Sequence, residues 1–423
     1  MNNPEKQTSR ESMPCILQAG SVVVSATETH SPGFIRIENG RISHSGPGDG
    51  RELGAENIQC YPSHILIPGL TNAHTHIELT SLRGLARGLP FPYWIALVTS
   101  CILSNDLAFF TASAEEGVRQ LLAGGVTCVG DHSTLGVASK ALASAGLAGA
   151  VFQEVFCPDP DGDYTEAFLD LDANLQATRS LGMEYLKPGI SPHAPYNASP
   201  QPLESLLTWF RGYPRSIHAC ESLDELNYVH SATGVFADRH RGRGISPVPW
   251  GVTPMEYLDQ HGFWEPGAIA VHATHVTDED IQLLASRGAS VVFCPESNAL
   301  LEGASPPAAR ILEAGVPCAI GTDSAISCER LDMFEQMRFL LLSSRLRGEP
   351  LTAAQVFHLA TEGGARVLGF DDRGTLKPGS VADFLLLNLP GPDAGVSPLE
   401  QVVWQASRER VADVILSGGG VVT

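Results

Sequence analysis

Positive charge is scarce in this chain: 27 Lys plus Arg stand against 47 Asp plus Glu among 423 residues, a formal net charge of −20. A field of that sign repels polyanions, which argues against nucleic acid or an anionic membrane as a partner and for an acidic, solvated surface. Paired cysteine spacing is missing too. The nine cysteines, Cys15, Cys60, Cys101, Cys128, Cys157, Cys220, Cys294, Cys318 and Cys328, are odd in number, scattered and never in Cys-x-x-Cys spacing. They read as reduced core thiols of a cytoplasmic protein. No apolar run reaches the roughly 20 residues of a membrane helix. The polar start from Met1 to Ser12 is followed by no apolar segment of signal-peptide length and is expected to be a frayed tail. Internal repeats and low-complexity stretches are likewise absent.

What the chain does have is core material. An apolar content of 43% over this length suffices for a full-size barrel with a small second domain. From Ile16 to about Ile65, short β-prone runs are broken by turn residues: Gly20 to Val24, Gly33 to Glu38, an Asn39-Gly40 hairpin signal, then Arg41 to Ser45. The last fifty residues repeat the style, with Ala382 to Leu389, Gln401 to Trp404 and Val411 to Leu416 expected as strands and Lys377-Pro378-Gly379 as a turn. These ends predict one composite β-sandwich, 13–66 plus 373–423, flanking a middle domain at 67–372.

That middle alternates apolar runs of four to eight residues with helical stretches such as Thr111 to Ala123, Pro202 to Phe210, Asp278 to Ser286 and Ala308 to Ala314. Eight runs are found, at Ile65 to Ala73, Val126 to Gly130, Gly149 to Val155, Leu186 to Ser191, Ser216 to Ala219, Ala268 to Val271, Ser290 to Cys294 and Cys318 to Thr322. Eight parallel strands with intervening helices make an α/β protein of the (β/α)8 TIM-barrel class, whose functional groups sit at the C-terminal strand ends.

Polar residues collect at those ends. His74 and His76 close the first run two positions apart, so an extended chain presents both imidazoles on one face, as a shared metal ion requires. Asp131 and His132, Glu154, His193, His218 and Glu221, His272 and His275, Ser297 and Asn298, and Asp323 follow at the later strands. Lone histidines are ordinary core residues; a ring of them converging on one rim is the geometry of a site.

The ordered stretches Pro68-Gly69-Leu70-Thr71-Asn72-Ala73-His74-Thr75-His76, Ser191-Pro192-His193-Ala194-Pro195-Tyr196, His218-Ala219-Cys220-Glu221, Val271-His272-Ala273-Thr274-His275, Cys294-Pro295-Glu296-Ser297-Asn298 and Gly321-Thr322-Asp323-Ser324 carry a resemblance. With the terminal Gly374 to Asp383 segment, they make the chain similar to the amidohydrolase superfamily, in the cytosine-deaminase-like branch of guanine, chlorotriazine and methylthioadenosine/S-adenosylhomocysteine deaminases. The resemblance implies that His74, His76, His218 and Asp323 bind one divalent ion, Zn²⁺ or alternatively Fe²⁺, with room left for a water. It also implies catalytic roles for Glu221 as proton shuttle, for His272 and for Asp323, and substrate contacts for His193, Trp94, Arg83 and Ser324. His275 is the alternative to His272, His193 alternatively caps a turn, and His132 and Glu154 are expected to be structural. Lys187 opens the fourth strand and so belongs at the barrel's bottom, which favours one metal over a pair bridged by a modified lysine.

The implied activity is hydrolytic deamination of an aminated purine, nucleoside or related heterocycle by a metal-activated water. The segments Glu78 to Gly84 and Pro90 to Trp94 resemble enzymes acting on 6-aminodeoxyfutalosine, with Arg83, Arg87 or the Arg239 to Arg243 cluster as cations for a carboxylate-bearing substrate. The alternatives are a hydrolase of chloro- or alkylamino-triazines and a catalytically silent scaffold, which filled ligand positions disfavour. Fold analogy suggests a homodimer.

Overall fold

As expected, the two β-rich chain ends build one β-domain, with strands from both joined in a single hydrogen-bonded sheet. In this computed structural model, which describes residues 15–54, 57–389, 395–416 and 420–422, the expected tail from Met1 to Ser12 lies outside the described residues. Strands β1 (Cys15–Ser25), β2 (Glu28–His30), β3 (Gly33–Glu38), β4 (Arg41–Pro47) and β5 (Asn57–Pro68) come from the first segment. The chain's other end returns as β14 (Phe384–Leu387), β15 (Val411–Leu416) and β16 (Gly420–Val422), in the order β16-β15-β14-β5-β1-β3-β4, with β2 on β1. Period-two alternation gives its central strands two apolar faces. Leu66, Phe384 and Leu386 pack with Val22, Val24, Ile35 and Ile42 on one face, while Ile65, Ile67, Leu385 and Leu387 on the other join the barrel's core.

Gln401 to Trp404, expected as a strand, is instead part of a helix, Pro398–Gln405. The reason is local and visible: Ser397 accepts from the Glu400 N–H while Glu400 reaches back to the Ser397 N–H, and Pro398 occupies the first turn. Leu399, Val402 and Val403 then bury themselves at helical spacing, which β-branched character had disguised as a strand.

The eight middle runs become eight strands. They are β6 (Leu70–Thr75), β7 (Val126–Ser133), β8 (Ala148–Val155), β9 (Leu186–Pro192), β10 (Ser216–Ala219), β11 (Ile269–His272), β12 (Ser290–Phe293) and β13 (Cys318–Ile320), all paired in parallel. Two four-stranded sheets, β6 to β9 and β10 to β13, close through bridges between Ile190 and Arg215 and between Thr75 and Asp323. The first expected run is divided at Gly69. Its N–H bonds Asp383 O at 2.9 Å, and a Cβ there would stand 2.1 Å from Thr127 Oγ1, so only glycine lets the chain pass from sheet to barrel.

The seam between β13 and β6 is where two distant parts of the sequence meet. Thr322 N–H and Asp323 N–H both donate to His74 O at 3.0 Å, and Asn72 exchanges hydrogen bonds with Thr322. A Cβ on Gly321 would lie 2.7 Å from His74 N, O and Cβ. Gly321→Ala is therefore expected to cost about 1–3 kcal/mol by overpacking and to lower metal occupancy, because backbone atoms must give way. Denaturant unfolding together with metal analysis checks this.

Among the described residues no single helix is long and apolar enough to cross a membrane.

Candidate metal centre and active site

Barrel closure brings the imidazoles of His74, His76, His132 and His218 together, with candidate ligand atoms all within 4.8 Å of one another. Asp323 joins them: its Oδ1 is 3.5 Å from His74 Nε2 and 3.6 Å from His76 Nε2. Ligands about 2.0–2.1 Å from a tetrahedral zinc stand about 3.4 Å apart, so these separations fit a shared ion.

Hydrogen bonds around the cluster orient each donor. His218 Nδ1 lies 2.7 Å from the His193 carbonyl, an acceptor, which places the proton on Nδ1 and leaves the Nε2 lone pair free. Ser297 and Ser327 hydroxyls donate to Asp323 Oδ2 at 2.6 and 2.8 Å, leaving Oδ1 for the cluster. Both ring nitrogens of His74 are buried without a hydrogen-bond partner, a costly state for a polar core atom that an ion would relieve.

Charge states agree with that fit. Burial is the largest influence on the histidines, lowering His74 to about 3, His132 and His218 well below the usual range, and His76 as well. All are neutral near pH 7, the form that ligates. Burial alone would raise the Asp323 carboxyl, but the adjacent imidazoles of His74, His76 and His272 outweigh it and hold the group well below its ordinary value.

Glu221 has the opposite character. Burial first, then the carboxylates of Asp323, Glu225 and Glu302, push its carboxyl well above the usual range, the direction that favours the protonated form. Glu225 fixes its backbone by accepting from Cys220 N–H and Glu221 N–H at 2.8 and 2.9 Å. His272 Nε2 lies 3.5 Å from Glu221 Oε1, while its Nδ1 is 2.8 Å from Asn298 Oδ1. Cys220, His272, Ala273 and Asp323 all adopt positive φ, at 52°, 74°, 48° and 62°. Strained backbone of this kind clusters at functional sites, where surrounding contacts hold it in place.

The group opens into a cavity of about 710 Å³. Its floor includes His76, His218, Glu221, His272 and Asp323; its walls include Trp94, His193, Tyr196, Phe236, Arg239 and Arg243.

Placement of the other expected residues is mixed. His193 and Trp94 line the cavity, whereas Arg83 is exposed outside it near Glu329, and Ser324 is buried against Ser327. Arg87 pairs with Glu329 and also lies outside the cavity lining. His275 faces Glu302 at 3.6 Å, so His272 is the strand-six histidine of the cavity. Lys187 sits over the Phe370 ring at 4.1 Å and donates to the Gly369 carbonyl, away from the cavity.

His132 comes closer than a purely structural role requires, with its ring 4.3 Å from that of His74 and both nitrogens unpartnered. Glu154 lines the cavity with Oε1 unpartnered and its carboxyl pushed by burial to about 8. Tyr196, Phe236 and His240 were not singled out from the sequence. Only the Pro195-Tyr196 step after His193 carried a signal for any of them.

The amidohydrolase family profile matches residues 65–421. A 5′-deoxyadenosine deaminase of Methanothermobacter thermautotrophicus is 29% identical over 420 residues, 96% of this chain and 91% of that protein. A 5-methylthioadenosine/S-adenosylhomocysteine deaminase of Nitratidesulfovibrio vulgaris is 31% identical over 370 residues, 84% and 79% of the two chains. Among solved structures, an adenosine deaminase from Xanthomonas campestris with bound zinc superposes with a TM-score of 0.83 at 28% identity, covering 96% of this chain and 92% of that one. The chain therefore belongs to the amidohydrolase family, in the branch of the methylthioadenosine/S-adenosylhomocysteine and 5′-deoxyadenosine deaminases.

Proposed function

We propose that the protein is a metal-dependent aminohydrolase that releases ammonia from the 6-amino group of an adenine nucleoside. The observation that carries this reading is the juxtaposition of a buried Glu221, 3.5 Å from His272, with an imidazole and carboxylate cluster in one cavity of about 710 Å³. Similarity to deaminases of 5′-deoxyadenosine and methylthioadenosine supports the substrate class.

In this reading His74, His76, His218 and Asp323 hold one Zn²⁺, and His132 packs against them. The ion, when bound, acts as a Lewis acid that brings the pKa of a coordinated water toward about 7. The remaining work belongs to the chain. Glu221 gives its proton to the ring nitrogen beside the amino-bearing carbon, which makes that carbon electrophilic. Asp323 accepts a proton from the attacking water, and His272, fixed by Asn298, steadies the oxygen as it adds. Asp323 then passes its proton to the amino group while Glu221 takes the proton of the added hydroxyl, so that collapse of the tetrahedral carbon breaks the carbon–nitrogen bond, ammonia leaves, a carbonyl remains and both carboxyl groups return to their starting states.

A panel of adenosine, 5′-deoxyadenosine, methylthioadenosine, S-adenosylhomocysteine, 6-aminodeoxyfutalosine, guanine and a chlorotriazine tests the proposal, with ammonia and chloride measured separately. Zinc-loaded protein is expected to release ammonia from adenine nucleosides with kcat/KM at least about tenfold above guanine, a difference of about 1.4 kcal/mol in transition-state binding. Chloride release without ammonia would move the assignment to the triazine hydrolases.

A further inference from the structure

One wall of the cavity holds two hydrogen-bond donors that the protein does not use. Tyr196 is 2% exposed, sits in the turn after β9, and packs in a cluster with Phe91, Ala194 and Phe236, against which Trp94 also packs. Its ring lies flat on Phe236, 4.0 Å between centroids and 4° between planes, so it has one orientation. Yet Tyr196 Oη is buried without a hydrogen-bond partner, and so is Trp94 Nε1, and both residues line the cavity.

A phenol enclosed by aromatic rings without an acceptor is worse than a phenylalanine in the same place, since the hydroxyl loses its water and receives nothing. The same holds for an indole N–H. Folding gives no reason for either polar atom. A ligand acceptor does, because a site built to bond a substrate oxygen rejects the analogue that lacks it.

We propose that Tyr196 Oη, with Trp94 Nε1 in the same wall, donates to a ribose hydroxyl oxygen of the substrate, making Tyr196 a specificity-determining residue. The assignment rests on the nucleoside reading above. The floor around Glu221 and His272 takes the reacting purine edge, which leaves the wall formed by helix Phe91–Ser104, the Tyr196 turn and helix Val235–Gly242 for the sugar. Arg239, from the last of these, bonds the Pro92 carbonyl of the first and keeps the two together.

Binding is measured by calorimetry on zinc-loaded Glu221→Gln protein, so that nucleosides are held without turnover, with Tyr196→Phe and Trp94→Phe each added to it. Tyr196→Phe is expected to weaken adenosine about tenfold and to leave unchanged the affinity of whichever of 2′-, 3′- or 5′-deoxyadenosine lacks the bonded hydroxyl. Its Tm should be equal to or above the parent's. In otherwise native protein, KM should rise while kcat stays within about twofold. Unchanged adenosine affinity, or an equal loss for all the deoxy analogues, overturns the inference while leaving the function intact. A lowered Tm with losses on every nucleoside assigns Tyr196 to structure and also overturns it. Failure of the parent to bind any nucleoside overturns both readings. Trp94→Phe, which keeps an aromatic face, is expected to give a smaller loss of the same pattern; loss on every analogue counts against its N–H.

Discussion

Glu221→Gln is expected to keep one zinc per chain, melt within a few degrees of the native protein and lose kcat by about 10²- to 10⁴-fold, the usual contribution of a positioned acid or base. The amide is isosteric with the protonated carboxyl, so the packing around it is preserved. No ligand is removed, because Glu221 stands on the cavity side of the cluster, 3.5 Å from His272 Nε2. What disappears is the transferable proton. Steady-state kinetics beside metal analysis separate the two effects, and a fully active variant would assign the proton transfer to another group.

Chelation should be comparably severe. Removing the ion is expected to lower activity by at least about 10³-fold, with recovery on adding one equivalent of zinc, since uncoordinated water holds its proton near pKa 15.7. Among variants, Asp323→Ala should lose the metal and His132→Asn should retain it. The distinction follows from Asp323 Oδ1, which points at His74 and His76 while both serine hydroxyls occupy Oδ2.

The metal-free protein should also be acid-labile. His74 titrates at about 3 in the fold, against about 6.5 when unfolded. Between those values the unfolded chain binds more protons, so stability rises with pH across that window and is lost as pH falls from about 6.5 toward 3. Each such histidine contributes up to about 1.4 kcal/mol per pH unit. His76, His132 and His218 are shifted the same way. Zinc shifts the whole curve upward while it is bound, because it binds the folded state and requires neutral imidazoles. Thermal melts of both forms from pH 8 to pH 4 check the sign; a flat profile would mean the histidines are less buried than the structure has them.

Several parts of this site were legible because they are short-range. The His74-x-His76 spacing and the placement of His218, Glu221, His272 and Asp323 after apolar runs both follow from where a βα unit puts its strand end. Arg83 was legible only as a nearby cation, and the chain carries it outside the cavity. Gln401 to Trp404 failed for a different reason: β-branched residues outweighed a capping box that was readable at Ser397 and Glu400.

By itself, the sequence carried the eight barrel runs, the paired histidines at the first strand end and, through the family resemblance, the candidate ligands and the acid beside them, since alternation, spacing and motif order act over a few residues. Tertiary structure alone decided that His74 and Asp323 meet across the closing seam, that His132 stands in the same histidine cluster, and that Tyr196 lines the cavity with a buried, unpartnered hydroxyl. These depend on desolvation and on contacts between residues dozens to hundreds of positions apart. Burial also biases the charge states, toward neutral histidines and a protonated Glu221.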